Sequence, residues 1–322
     1  MLLRIVKYSL LLGLIVSSSV LCAAKQDLFE ILLNVRTKSL KIKLDKNKFV
    51  NFWYDSYNGL ELDDKIYTRY YEKKNLSIDK YFKFIDIQGG TFNMGSPVEE
   101  EGRYDDEDQI PDVKVSNFSM QTTQVTQFQY WLVTKSNPSR FKNKDNCPQE
   151  HAIFNGVSMC PNHPVEGVSW DDAQTFIQSL NEKSDDYTYS LPTEAQWEYS
   201  ARAGTRTRYS FADDVEKLAD YAWYRGNSSN QTHQVASLEP NPFGLSDMHG
   251  NVWEWAEDDW SRSSERFVEE NDPVFKDSSR GRVIRGGGWN NLPRDLRSAV
   301  RHYWWSDVRY DGLGLRLVRT PK

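Results

Sequence analysis

Sulfur and imidazole are scarce in this chain. Three cysteines and five histidines are spread over 322 residues, and no cysteine follows Cys160. The histidines stand at positions 151, 163, 233, 249 and 302. No two of them share the spacing that sets paired imidazoles on one helix face, so zinc and non-haem iron centres of that kind lack a ligand set. Long apolar runs are missing beyond the N-terminal segment, which excludes a second membrane-spanning helix. Positive charge is short as well: 40 Lys and Arg stand against 46 Asp and Glu, a net charge of −6. A general nucleic-acid binder needs a basic surface that displaces counterions, so that class is set aside.

Aromatic side chains are abundant, with 11 Trp, 17 Tyr and 15 Phe. Mean hydropathy is −0.70. Many aromatics, short polar segments and 18 Gly predict an irregular, loop-rich α+β or β-rich fold and not a helix bundle. The length suits one large domain or two ordinary ones.

Residues 1–24 read as a signal peptide. Arg4 and Lys7 form a basic start, residues 10–21 are mostly apolar, and Cys22, Ala23 and Ala24 offer small residues for cleavage. The expected location is therefore exported: periplasmic, cell-surface or secreted. An uncleaved anchor is the alternative, and lipid attachment at Cys22 ranks below simple cleavage because Leu21 is bulky. Removal of residues 1–24 takes away two positive charges, giving −6 − 2 = −8.

Two cysteines then remain, Cys147 and Cys160, in a Pro- and Asn-rich loop. In an exported protein they read as a disulfide closing a surface loop, which stabilises by roughly 2–4 kcal/mol. The competing reading, a catalytic or metal-binding pair, has His151 and His163 nearby but no zinc spacing.

Residues 25–80 form an N-terminal extension, with Leu28 to Val35 expected as a short helix and Phe49 to Tyr54 and Ile66 to Tyr71 as strands. The main domain is expected over 81–322. It opens with alternating apolar residues around the Gly89–Gly90 turn. The acidic run 99–108 reads as solvated surface. The segment Thr123–Thr126 precedes Phe128, Tyr130, Trp131 and Leu132 and suggests an N-capped helix; Ser169 and Thr193 are expected to cap two more, with Gln196 at capping-box distance from Thr193.

Five motifs then stand in one order: Gly-Gly-Thr-Phe-Asn-Met-Gly-Ser (89–96), His-Pro-Val-Glu-Gly-Val-Ser-Trp-Asp-Asp-Ala (163–173), Leu-Pro-Thr-Glu-Ala-Gln-Trp-Glu-Tyr-Ser-Ala-Arg (191–202), Asn-Pro-Phe-Gly-Leu-Ser-Asp-Met-His-Gly-Asn-Val-Trp-Glu-Trp (241–255), and an ending that runs from Arg-Gly-Gly-Gly-Trp (285–289) to Gly-Leu-Arg-Leu (314–317). With them the chain resembles the formylglycine-generating enzymes, or sulfatase-modifying factors. The resemblance implies a C-type-lectin-like α+β fold with short antiparallel sheets, two main helices and much loop.

In that family two cysteines before the Arg-x-Ala-x-Arg segment bind copper(I) and activate dioxygen to oxidise a substrate cysteine. Copper(I) needs soft thiolates. Here the stretch from Asn290 to Leu296 holds none, and Gly288 stands where the family has serine. No catalytic residue and no copper are therefore expected. The resemblance also implies a structural calcium, held by Asp247, by the carbonyls of Gly250 and Val252, and by Glu254, a hard oxygen set suited to that ion.

The resulting expectation is a non-catalytic module that binds a protein or cell-surface ligand, with no nucleic acid and no membrane span after signal removal. Its expected ligand-binding surface comprises Asn290, Asn291, Asp295, His302, Tyr303, Trp304, Trp305, Arg309, Tyr310 and Asp311, since aromatics and arginine favour recognition. The ending also resembles variable proteins of diversity-generating retroelements, whose fixed frame brackets mutable Asn codons; the adjacent Trp304 and Trp305 depart from that pattern. The alternative is an oxidoreductase of the formylglycine-generating type with altered chemistry, for which Arg297 and Arg301 are equally well read as structural ion-pair partners.

Overall fold

The computed structural model describes residues 77–262, 271–277 and 281–322, together with the backbones of three strands nearer the N-terminus. The chain divides into two units, Met1–Asn75 and Leu76–Lys322. The segment read as a signal peptide and the strands expected at 49–54 and 66–71 lie outside the described residues.

The first unit holds an antiparallel sheet of β1 (Leu28–Val35), β2 (Lys38–Asp45) and β3 (Glu61–Leu62), in the order β2-β1-β3. The helix expected at 28–35 is thus a strand. Its eight residues pair in unbroken register with Lys38–Asp45. The partner alternates Leu40, Ile42 and Leu44 with polar residues, the period of a half-buried strand. The hairpin supplies partners for backbone groups that an isolated eight-residue helix would leave marginal.

The second unit is α+β. Its α-helices are α1 (Gln127–Thr134), α2 (Trp170–Lys183), α3 (Glu194–Arg202) and the single turn α4 (Leu218–Tyr221). There are thus four among the described residues, not the two main ones expected. The first three begin in capping boxes, Thr126 with Gln129, Ser169 with Asp172, and Thr193 with Gln196. Each box satisfies amide hydrogens that the first helical turn cannot pair internally. On α2 the apolar residues Ala173, Phe176, Ile177 and Leu180 are buried along one face. At the end of α3 two successive residues are left-handed, Ala203 with φ 46° and Gly204 with φ 88°.

The strands are β4 (Phe84–Ile87), β5 (Gly90–Met94), β6 (Ile110–Val115), β7 (Phe118–Gln121), β8 (Ala152–Phe154), β9 (Val157–Met159), β10 (Tyr187–Ser190), β11 (Trp253–Asp259), β12 (Gly281–Arg285), β13 (Arg301–Trp305), β14 (Leu313–Gly314) and β15 (Val318–Pro321). They form sheets β10-β15-β7-β4 and β13-β12-β11-β14 with two-stranded pairs β5-β6 and β8-β9, and all of these sheets are open. The glycine turn at 89–90 joins β4 and β5 but makes no hairpin, because β4 pairs with β7 and β5 with β6. Gly89 is required there: a Cβ would lie 2.1 Å from the Val115 carbonyl oxygen. Met94, Met120, Trp197 and Met248 belong to one buried apolar cluster that joins these elements. Cys147 and Cys160 are disulfide-bonded, with Cα atoms 5.8 Å apart.

Candidate ligand-binding surface

The surface rests on buried ion pairs that tie the motifs together. On α3, Glu198 accepts from the Gly95 amide and from Arg202, both at 2.8 Å, and from Arg285 of β12. Arg285 is fully buried and also donates to the carbonyls of Ala299 and Ser298. One turn earlier, Glu194 takes Arg301 in a two-point pair, 2.7 Å for each bond. Arg297 is held by both oxygens of Glu107, at 2.6 and 2.8 Å, and by Glu100 at 2.5 Å. Two-point guanidinium–carboxylate pairs fix orientation as well as charge. Arg297 and Arg301 are therefore structural. The acidic run 99–108 is corrected by the same contacts: Glu107 is buried beneath Arg297. A charge run is solvated only where no opposite charge covers it, and the cover here lies 190 residues away.

The loop 241–255 holds the four residues to which calcium was ascribed. The carbonyl oxygens of Asp247, Gly250 and Val252 all receive the Gln124 side-chain amide, at 3.3, 3.1 and 2.9 Å. The Asp247 carboxylate accepts from the Ala236 amide at 2.8 Å. Glu254 is engaged by Arg316 through Nε and Nη2 and by the Trp197 indole at 2.7 Å. A calcium ion would need those carbonyls free and Glu254 unpaired, so these residues as arranged do not fit it. Gln124 was missed in the sequence because it lies outside the motifs, beyond the end of β7, more than 120 residues from its acceptors.

Over this frame lie the ten residues expected to form the surface. The edge strand β13 carries four of them. Successive side chains point to opposite faces, so Tyr303 and Trp305 fall on one side and His302 and Trp304 on the other. Tyr303 stacks on Trp260 at 4.8 Å, and the Arg301 guanidinium sits 4.2 Å over the same Trp260 ring. Trp304 and Trp305 are 39% and 52% exposed. Asn291, Asp295 and His302 line a cleft of about 550 Å³ with Tyr104, Asp106 and Trp253. Asn291 accepts from the Trp253 indole at 2.9 Å, and Asp295 accepts from Tyr104 at 2.6 Å. Asn290 donates to Tyr310, and Asp311 pairs with Arg140. Arg309 stands apart in a two-point pair with Asp172 of α2, at 2.7 and 2.8 Å. The cleft's far wall, Tyr104 to Asp106, gave no sequence signal beyond its charge.

Several buried groups near this frame titrate abnormally. Burial, reinforced by Glu194, pushes Asp258 up to about 7, and burial pushes Glu166 up to about 7. Burial holds His163 and His249 down to about 4. The two carboxyls keep their protons in the fold at pH values where the unfolded chain has lost them. Their contribution is complete below about pH 4 and is lost as pH rises through about 7. The histidines act in the opposite sense, costing stability as pH falls from about 6.5 towards 4. Unfolded histidines stay partly protonated up to about pH 7.5 and offset part of the carboxyl effect in the wild type. Asp258→Asn removes the Asp258 share alone, so the excess stability of the wild type over that variant should fall by about 1 kcal/mol between pH 6.5 and 8. Urea unfolding of both proteins at a series of pH values measures it; a difference that stays constant across that window contradicts the assignment.

Comparison with known proteins identifies the family and the fold. The formylglycine-generating enzyme of Streptomyces coelicolor is 34% identical over 171 residues, covering 48% of this chain and 52% of that enzyme. Serine/threonine-protein kinase pkn1 of Chlamydia caviae is 29% identical over 262 residues, 76% of this chain but 39% of the kinase. The chain thus spans less than half the length of that relative. Among solved structures, Treponema denticola variable protein 1 superposes with a TM-score of 0.63 at 26% identity, over 74% of this chain and 94% of that one. PvdO from Pseudomonas aeruginosa gives 0.63 at 28% identity, over 73% of this chain and 93% of that one. The family model for the sulfatase-modifying factor enzyme 1-like domain matches residues 72–321, the span that contains every motif, ion pair and surface residue described above, and the chain belongs to that family.

Proposed function

We propose that this chain is an exported, non-catalytic member of the family that binds a protein or cell-surface ligand, on a C-type-lectin-like scaffold, through β13 and the segments on either side of it. The observation that carries the reading is the exposure of Trp304 and Trp305 on the edge strand whose His302 lines the cleft, in a stretch with no thiol. Large rigid aromatics supply contact area at low entropic cost. Both cysteines among the described residues are consumed in a disulfide. Export is supported by the signal-like segment, and no helix among the described residues is long and apolar enough to cross a membrane. The likeness to a protein named as variable supports diversification of the ending, which would place a near-copy of the gene's 3′ end beside a reverse-transcriptase gene.

The test pairs two measurements. Arrays of immobilised glycans and cell-surface ectodomains are screened with the purified protein and with a Trp304→Ala, Trp305→Ala double variant. The variant should lose at least about tenfold in affinity for whatever the wild type binds, a typical hot-spot loss, with unchanged melting. Oxygen consumption with copper(I) and a sulfatase-type cysteine peptide should be absent, and turnover there would overturn the reading in favour of an oxidoreductase. One observation favours an altered enzyme as the second reading: the cleft holds a buried Asp106 oxygen without a hydrogen-bond partner, a group that a bound substrate's donor could meet.

A further inference from the structure

We propose that in this chain the side-chain amide of Gln124 takes the place of a cation at the centre of the 247–254 loop, so that the loop keeps its shape without metal. The loop is unusual in its backbone. Asp247, Gly250 and Asn251 all have positive φ, at 59°, 114° and 64°. That path turns the carbonyls of Asp247, Gly250 and Val252 towards one point. Three inward carbonyl dipoles repel one another, and burial away from water makes an unmet acceptor costly. Something positive must sit at their focus.

The Gln124 Nε2 sits there, within 3.3 Å of all three oxygens. Its two hydrogens are shared among them. The amide orientation follows from the electrostatics. Turned over, Oε1 would face three carbonyl oxygens with no donor between them, an arrangement that only a cation could hold together. As placed, Oε1 is the buried atom left without a partner, the smaller of the two costs.

The fourth position argues the same way. Glu254 gives its charge to Arg316, which is itself buried and donates further to the carbonyls of Gln121 and Ser246. A divalent ion beside Glu254 would either strip it from Arg316 or stand against a buried guanidinium. The rest of the loop is tied by neutral bonds: Gly250 N to Gly286 O at 2.9 Å, Asn251 N to Trp223 O at 2.8 Å, and the Asn251 side chain to both backbone groups of His233. This inference stands apart from the proposed function and holds whether or not the surface binds a ligand.

Thermal unfolding of the purified chain in millimolar CaCl₂ and in EDTA is the direct test. The wild-type midpoint should agree within about 1 °C between the two, since a ligand that binds neither state shifts nothing. Gln124→Glu puts a carboxylate oxygen against the three carbonyls and creates the need for an ion. That variant should melt lower in EDTA and regain about 5 °C or more in CaCl₂. Should the variant fail to fold at all, the wild-type comparison still decides, together with calcium titration by calorimetry, which should show no site. A wild type that melts lower in EDTA, or that takes up calcium stoichiometrically and loses it in Glu254→Gln, would overturn the proposal.

Discussion

Glu198→Ala should lower the unfolding free energy by about 3–5 kcal/mol, the cost of leaving buried charge without its partner. Glu198 meets two guanidinium groups and one amide hydrogen in a space closed to water: Arg202, Arg285 and Gly95. Arg285 cannot relax outward, since it is fully buried, and its remaining carboxylate neighbour, Glu194, is 3.8 Å away and already committed to Arg301. Neither arginine can shed its proton at accessible pH. Most of the loss therefore comes from what is left behind. For a unit of this size the change corresponds to a fall of about 6–20 °C in melting midpoint. Glu198→Gln keeps an acceptor for the Gly95 amide and should fall between the two. Urea unfolding with a loss under about 1 kcal/mol for the alanine variant would show that water or a neighbouring carboxylate reaches Arg285.

The second large effect is expected at Gly250. Its φ is 114°, a region closed to side-chain-bearing residues, and an added Cβ would lie 2.4 Å from the Trp223 carbonyl oxygen. That oxygen accepts from the Asn251 amide, so the backbone cannot move aside without breaking the bond that closes the loop. Gly250→Ala should cost about 3 kcal/mol or more. Gly204 makes the control. It also has positive φ, 88°, but open space where a Cβ would go. Gly204→Ala should cost only about 1 kcal/mol. Equal losses at the two positions would mean that backbone conformation alone, and not the approach of Trp223, sets the penalty.

What the sequence disclosed was mostly local. Each capping box is contained within four residues, and Thr126, Ser169 and Thr193 all cap helices. The ordered motifs disclosed the family for the same reason, because each is a contiguous string. What stayed hidden depends on chain closure. Glu107 could not be told from its solvated neighbours, because the Arg297 that buries it arrives only when the ending folds back. Gln124 carried no pattern, since its three acceptors belong to a distant motif. Leu28–Val35 misled because its apolar spacing suits a helix while its pairing partner, ten residues on, suits only a strand. Of the surface, the aromatic strand was legible from composition, but the cleft wall from Tyr104 to Asp106 was not.

The position of β15 has a consequence for how the molecule is made. It is an interior strand, paired with β10 through Tyr189 and Arg319 and with β7 through Met120 and Val318. Emerging from the ribosome, β4 and β7 can meet early, but their sheet lacks its middle until nearly two hundred further residues have been synthesised. Long-range pairings of this kind slow folding. The nascent polypeptide therefore stays without a finished interior for most of translation, a state in which a secretion channel or a chaperone can still hold it as an open chain.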